Sequence, residues 1–215
     1  MYESFKERTI SIGKYQFEIF KEVQNLRIKN VFFENLAYPI LPEFPENLKR
    51  AVIDETLGEN IYEKGKQLFI DGIPDKPSEE QYLFLGKYTC LPLIVLLMDD
   101  VNIYPTIDEK LKAALPIFTL MLGTGNMKPD ELLKHMDQSI KKEMKKFFDS
   151  EIAKEAILIL GVMHNFEDVC NRRFNPAIYS KTFFNSDIPS LLHSGPYEDT
   201  PFNFMHPVFK TRKHK

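Results

Sequence analysis

Two short stretches hold most of the residues in this chain that could do chemistry. The first is Leu122-Gly-Thr-Gly-Asn-Met-Lys-Pro, where Gly123 and Gly125 precede Lys128. If a strand led into it, the glycines could bring backbone amides close to a phosphate, with Lys128 supplying charge. The match is incomplete. The dinucleotide pattern requires a third glycine where Lys128 stands, and the Walker pattern requires Gly-Lys-Ser/Thr. The competing reading is a helix that closes near Gly123 and a second that opens on Pro129.

The second stretch, His164-Asn-Phe-Glu-Asp, gathers His164, Glu167 and Asp168 within one helical turn. His164 and Asp168 are four apart and would share a helix face, so they could ligate one metal ion. A zinc-protease helix needs a second histidine, and a carboxylate-bridged di-metal bundle needs Glu-x-x-His on two helices. His135, with Glu131 four residues before it, is only a loose echo of that pattern. The plainer reading is a helix end with His164 satisfied by Asp168. No Gly-x-Ser-x-Gly, Cys-x-x-Cys or His-Glu-x-x-His occurs. His193 and His206, with Ser190, Ser194 and Asp187 near them, have no spacing that assembles a triad. The sequence implies no cofactor, and the balance leans away from an enzyme.

The elements that would position these residues read as mostly helical. Capping signals at Ser78/Gln81 and Thr106/Glu109 predict helices over about 79–99 and 107–122. Each passes into an apolar Leu-Pro stretch, Cys90–Met98 and Ala114–Leu122, which predicts two bent core helices. The alternative is a pair of buried strands, each beginning at its Leu-Pro. A third core helix is expected over 150–171, because Ala156–Met163 is apolar all round. Residues 128–148 form an amphipathic pattern, 46–72 one helix or two, and 20–37 another helix. Near the N-terminus, Ile10, Ile12, Tyr15, Phe17 and Ile19 flank Gly13-Lys14, which predicts a β-hairpin over about 8–20 with a type II′ turn. The expected fold is therefore mainly α, with about six helices around an apolar core, a short N-terminal hairpin and an extended C-terminal arm.

The expected division is a body, 1–172, and an arm, 173–215. From Phe174 onward there are five prolines and eight Phe or Tyr, and helical periodicity stops. Such a segment is too aromatic for a simple solvated tail. From Arg172 it has seven Lys/Arg against three Asp/Glu, hence +4, which leaves −7 on the body given the total of −3. A basic aromatic arm suits docking on the acidic body or on a neighbour, with Phe183, Phe184, Tyr197, Phe202, Phe204 and Phe209 as contact residues.

The charge balance argues against a nucleic-acid or anionic-lipid partner. The basic clusters at 141–146 and 171–173 fit helix C-termini, where cations complement the macrodipole. The nine-residue apolar stretches are too short to span a bilayer, which takes ~20 residues. No apolar leader is visible at the N-terminus. Cys90 and Cys170 read as buried thiols of a cytoplasmic protein. The resulting expectation is a non-enzymatic interaction or assembly protein that binds a protein partner, or itself, through the arm or the groove beside it. The alternative is a small-ligand protein or metal enzyme at His164/Glu167/Asp168, or a phosphate binder at Gly123–Lys128.

Overall fold

A computed structural model describes residues 5–34, 36–150 and 156–160. The protein is mainly helical. In chain order the elements are α1 (Phe5–Leu26), β1 (Asn30–Phe33), α2 (Glu46–Leu57), α3 (Ile61–Leu68), α4 (Glu79–Lys87), α5 (Leu91–Leu97), β2 (Asn102–Pro105), α6 (Glu109–Gly123), α7 (Pro129–Asp149) and β3 (Ile157–Ile159). The chain divides into two compact units, and α2 spans the division.

The first unit contains residues 5–27 and Ile53–Asp99 among the described residues. Its centre is the crossing of α1 and α4. The expected hairpin is not there: residues 5–26 are one continuous helix. Its buried residues, Thr9, Gly13, Phe17, Phe20 and Val23, repeat at three and four, and the alternation around Gly13 was incidental. Gly13 is a contact point instead of a turn. A Cβ there would lie 1.8 Å from the carbonyl oxygen of Tyr82, and one on Gly86 would lie 1.9 Å from that of Thr9. Two glycines, one on each helix, let the backbones touch. Phe17 and Tyr82 pack edge-on beside this crossing, with centroids 6.2 Å apart.

The capping box at Ser78 forms as read: its hydroxyl accepts from the Gln81 amide, and the Gln81 side chain accepts from the Ser78 amide. The helix it starts ends sooner than expected, at Lys87. Pro92 cannot donate to a continuing helix, and it opens α5 from within the first turn. The expected bent helix over 79–99 is thus two helices. Leu91, Pro92, Leu93, Ile94 and Val95 are all buried.

The second unit contains Ile28–Val52 and, from the later chain, 100–150 and 156–160 among the described residues. It holds a parallel sheet in the order β2-β1-β3. Two of its strands overturn helical expectations. The helix foreseen over 20–37 stops at Leu26, Arg27 takes a left-handed φ of 56°, and Asn30–Phe33 becomes the fully buried central strand. Within the helix foreseen over 150–171, Ile157–Ile159 is a strand paired with Val31–Phe33. Both runs are continuous and apolar, which suits a parallel strand covered on both faces as well as a buried helix. Phe32 packs with Ile140, Met144 and Phe147 of α7, and Tyr104 and Leu158 close the cluster. In the second Leu-Pro stretch, by contrast, residues 117–122 are helical, as expected.

Candidate functional site

The N-terminus of α6 is built by Asp108. Its carboxylate accepts the Leu111 amide at 2.8 Å and the Lys142 ammonium at 2.6 Å, and its own amide donates to the Ser139 hydroxyl at 2.9 Å. Thr106, expected to cap this helix, is buried and donates its hydroxyl to the Phe33 carbonyl at 2.7 Å. Strand β2 runs to Pro105, so Thr106 still faces β1 and the cap falls two residues later. The Lys142 hydrogen bond, the Leu111 amide and the charges of Lys142 and Lys146 together hold the Asp108 carboxyl below the usual carboxylate range, against a smaller opposing effect of burial.

Beside this cap lies an open cleft of about 330 Å³. It sits where β2 ends, and Pro105 and Ile107 line it together with Ala37, Asp108, Lys110 and Lys142. In open α/β sheets the carboxyl ends of parallel strands are the usual place for ligands. The charges in this cleft are largely matched, because Lys142 pairs with Asp108 and Lys146 with Glu143. These lysines belong to the cluster at 141–146 that the sequence suggested would complement a helix dipole.

Among the described residues, the feature without an internal explanation is α6 itself. One face packs on α7 through Leu111, Leu115 and Phe118, which meet Met136 and Leu132. A helix with one apolar face normally turns polar on the other. Here Glu109, Ala113, Ile117, Leu120 and Thr124 follow at intervals of three and four, with Pro116 beside them, all exposed. Ile117 is 60% exposed and Leu120 69%. From Ala113 to Met127 the chain carries no charged residue. The sequence had assigned this stretch to the core on its apolarity alone. The signal it offered was that α6 has more apolar surface than one packing partner can cover.

The residues singled out for chemistry fare differently. Gly123 closes α6 and Gly125 turns with a left-handed φ of 74°. The amides of Asn126 and Met127 bond back to the Met121 carbonyl, so the loop folds against the last turn. The Lys128 amide, which begins α7, is held by the Glu131 carboxylate at 3.0 Å. An acidic side chain therefore already occupies this amide. His135 stacks on Phe118 with centroids 5.2 Å apart. His164, Glu167 and Asp168, and the arm residues Phe183, Phe184, Tyr197, Phe202, Phe204 and Phe209, lie outside the described residues. Among the described residues, no three His, Cys, Asp or Glu side chains are grouped to hold a metal, and no helix is long and apolar enough to cross a membrane. Cys90 is buried, and burial pushes its thiol up to about 12.

Comparison with known proteins finds no matching family, no matching curated protein and no matching solved structure.

Proposed function

We propose that this chain is a protein-interaction or assembly protein and that the outer face of α6 is its contact surface. One observation carries the reading: an exposed helical face, uncharged from Ala113 to Thr124, with Ile117 and Leu120 mostly exposed. Water against such a patch is unfavourable by roughly 25 cal/mol per Å², and contiguous exposed apolar patches mark contact sites on soluble domains. The sequence placed the contact on the arm, but the supporting residues here are those of α6. A benzophenone side chain installed at position 117, with one at the exposed position 134 of α7 as control, tests this in native extract. A discrete protein cross-linked from position 117 and absent from position 134 is the expected result. No cross-linked protein from either position would overturn the proposal.

A second reading has its own support, the cleft at the carboxyl end of β2. It is a small-ligand site for a molecule carrying both charges, since acidic and basic side chains line it in equal number. A thermal-shift series with amino acids, inorganic phosphate and nucleotides tests it. Stabilisation by a zwitterion that Lys142→Gln abolishes would favour this reading, and no shift with any of them would remove it.

A further inference from the structure

From the outer edge of β3 and the chain that follows it, we infer that residues 177–184 of this chain add a fourth strand to the sheet, parallel to β3 and beside it. No residue of α6 takes part. In a parallel ladder alternate residues of a strand bond to the same neighbour. The Glu34 amide donates to the Ile159 carbonyl at 3.0 Å, and Val31, Phe32 and Phe33 stand opposite Ile157, Leu158 and Ile159. Ile157 and Ile159 therefore turn their backbone groups to β1, and Leu158 turns its N–H and C=O the other way. At the opposite edge of the sheet the outward groups are used: Ile103 of β2 exchanges both bonds with Ile40, at 2.8 and 2.9 Å. Among the described residues, nothing pairs with the outer edge of β3. Nor does this strand carry the features that blunt an edge. Ala156–Leu160 is apolar throughout, without a charge or a proline, and all five residues are half-buried. Such an edge templates the addition of a strand, and parallel sheets are normally covered.

The length and composition of the following chain select the occupant. Fifty-five residues follow Leu160. A parallel strand needs a crossover of a dozen or more residues, and the sixteen from Gly161 to Pro176 supply it. Then comes Ala-Ile-Tyr-Ser-Lys-Thr-Phe-Phe, 177–184, of whose eight residues five are β-branched or aromatic. It lies in the longest proline-free stretch after Pro176, and Asn185-Ser186-Asp187 suits the turn that ends it. Prolines at 189, 196, 201 and 207 interrupt the rest of the chain. Lys181, in its middle, is the kind of charge that protects the last strand of a sheet. The step from β3 to this strand crosses the sheet in the same direction as the step from β2 to β3. Right-handed crossovers then put residues 161–176 on the face that carries α7. On that face Ala156, Leu158 and Leu160 pack against the Phe32 cluster and are left half-buried, so the crossover completes their cover. The boundary between body and arm accordingly falls near 185 instead of 173, and Phe183 and Phe184 belong to the sheet.

Amide hydrogen exchange by NMR on the full 25.2 kDa chain tests the inference. The expected result is a Leu158 amide that exchanges within about tenfold of the Ile159 amide, which is bonded to β1. Nuclear Overhauser contacts should join Leu158 to residues 178–183 of the same molecule. A Leu158 amide faster than that range would show an open edge and overturn the inference. So would a slow Leu158 amide whose contacts lead to another segment. Contacts between differently labelled copies in a mixed sample would do the same, since the added strand would then come from a second molecule. Proline substitution gives a further readout. In a parallel strand only one of two adjacent amides faces β3, so at least one of Lys181→Pro and Thr182→Pro should speed Leu158 exchange by about tenfold or more, with the Met144 amide of α7 unchanged. No change at Leu158 in either variant would contradict the pairing.

Discussion

Leu91-Pro92 and Leu115-Pro116 each introduce six mostly apolar residues, but the two stretches end in different environments. In α5, Pro92 lies in the first turn, where its missing N–H has no helical partner to lose, and the residues around it are buried. In α6, Pro116 stands inside the helix, where a proline costs about 3 kcal/mol. The residues after it divide, with Phe118 packed towards α7 and Ile117 and Leu120 left on the outside. Apolar sequence alone therefore does not specify core. It specifies a surface that needs cover, and in α5 the unit supplies that cover. Among the described residues α6 has cover on only one side, and its other side is the basis for proposing a partner.

Substitutions can sharpen this contrast. The largest effect is expected in α5. Leu93→Ala removes a side chain with no exposure and should lower stability by about 2–5 kcal/mol in urea unfolding, as for other core truncations. Cys90 gives an independent readout of the same helix. Its thiol, pushed up to about 12 by burial, should react with a thiol reagent at neutral pH only through opening of the structure, and faster in Leu93→Ala.

Next is the α1–α4 crossing. Gly13→Ala puts a methyl group against the Tyr82 carbonyl, and separating the helices should cost about 1–3 kcal/mol or more. A smaller effect is expected at the start of α6. Asp108→Ala removes the cap over Leu111 and should cost about 1 kcal/mol, while Asp108→Asn keeps a capping oxygen and loses only the charge. Because the Asp108 carboxyl is depressed in the folded state, its contribution is complete above the unfolded carboxylate value of about 4 and fades as pH falls through the lower folded value. The stability difference between the parent and Asp108→Asn should therefore be greatest near neutrality and disappear in strong acid. A difference that persists there would contradict the Lys142 pairing as its cause.

These positions also indicate what could be read before the structure. The Ser78–Gln81 box and the amphipathic stripe of α7, with Met136, Ile140, Met144 and Phe147 buried, depend on local rules and were legible. Gly13 was not, because a glycine at a turn and a glycine at a helix crossing look the same until the other helix is known. Asn30–Phe33 and Ile157–Ile159 were missed for a related reason. A short apolar run takes its form from the strands beside it, and the partners here are far apart in sequence. Of the site, the apolarity of α6 was legible and its exposure was not, since exposure depends on how much of the helix α7 covers.

The most direct test is the thermal midpoint of the Ile117→Asp/Leu120→Asp double variant in dilute solution. If the outer face of α6 is a contact surface, two charges there meet water, and the midpoint should stay within about 2 °C of the parent, the range of ordinary surface substitutions in a chain of this size. A fall of about 10 °C or more, comparable to that from Leu93→Ala, would mean the face is covered within the chain's own fold, and the interaction reading would be wrong.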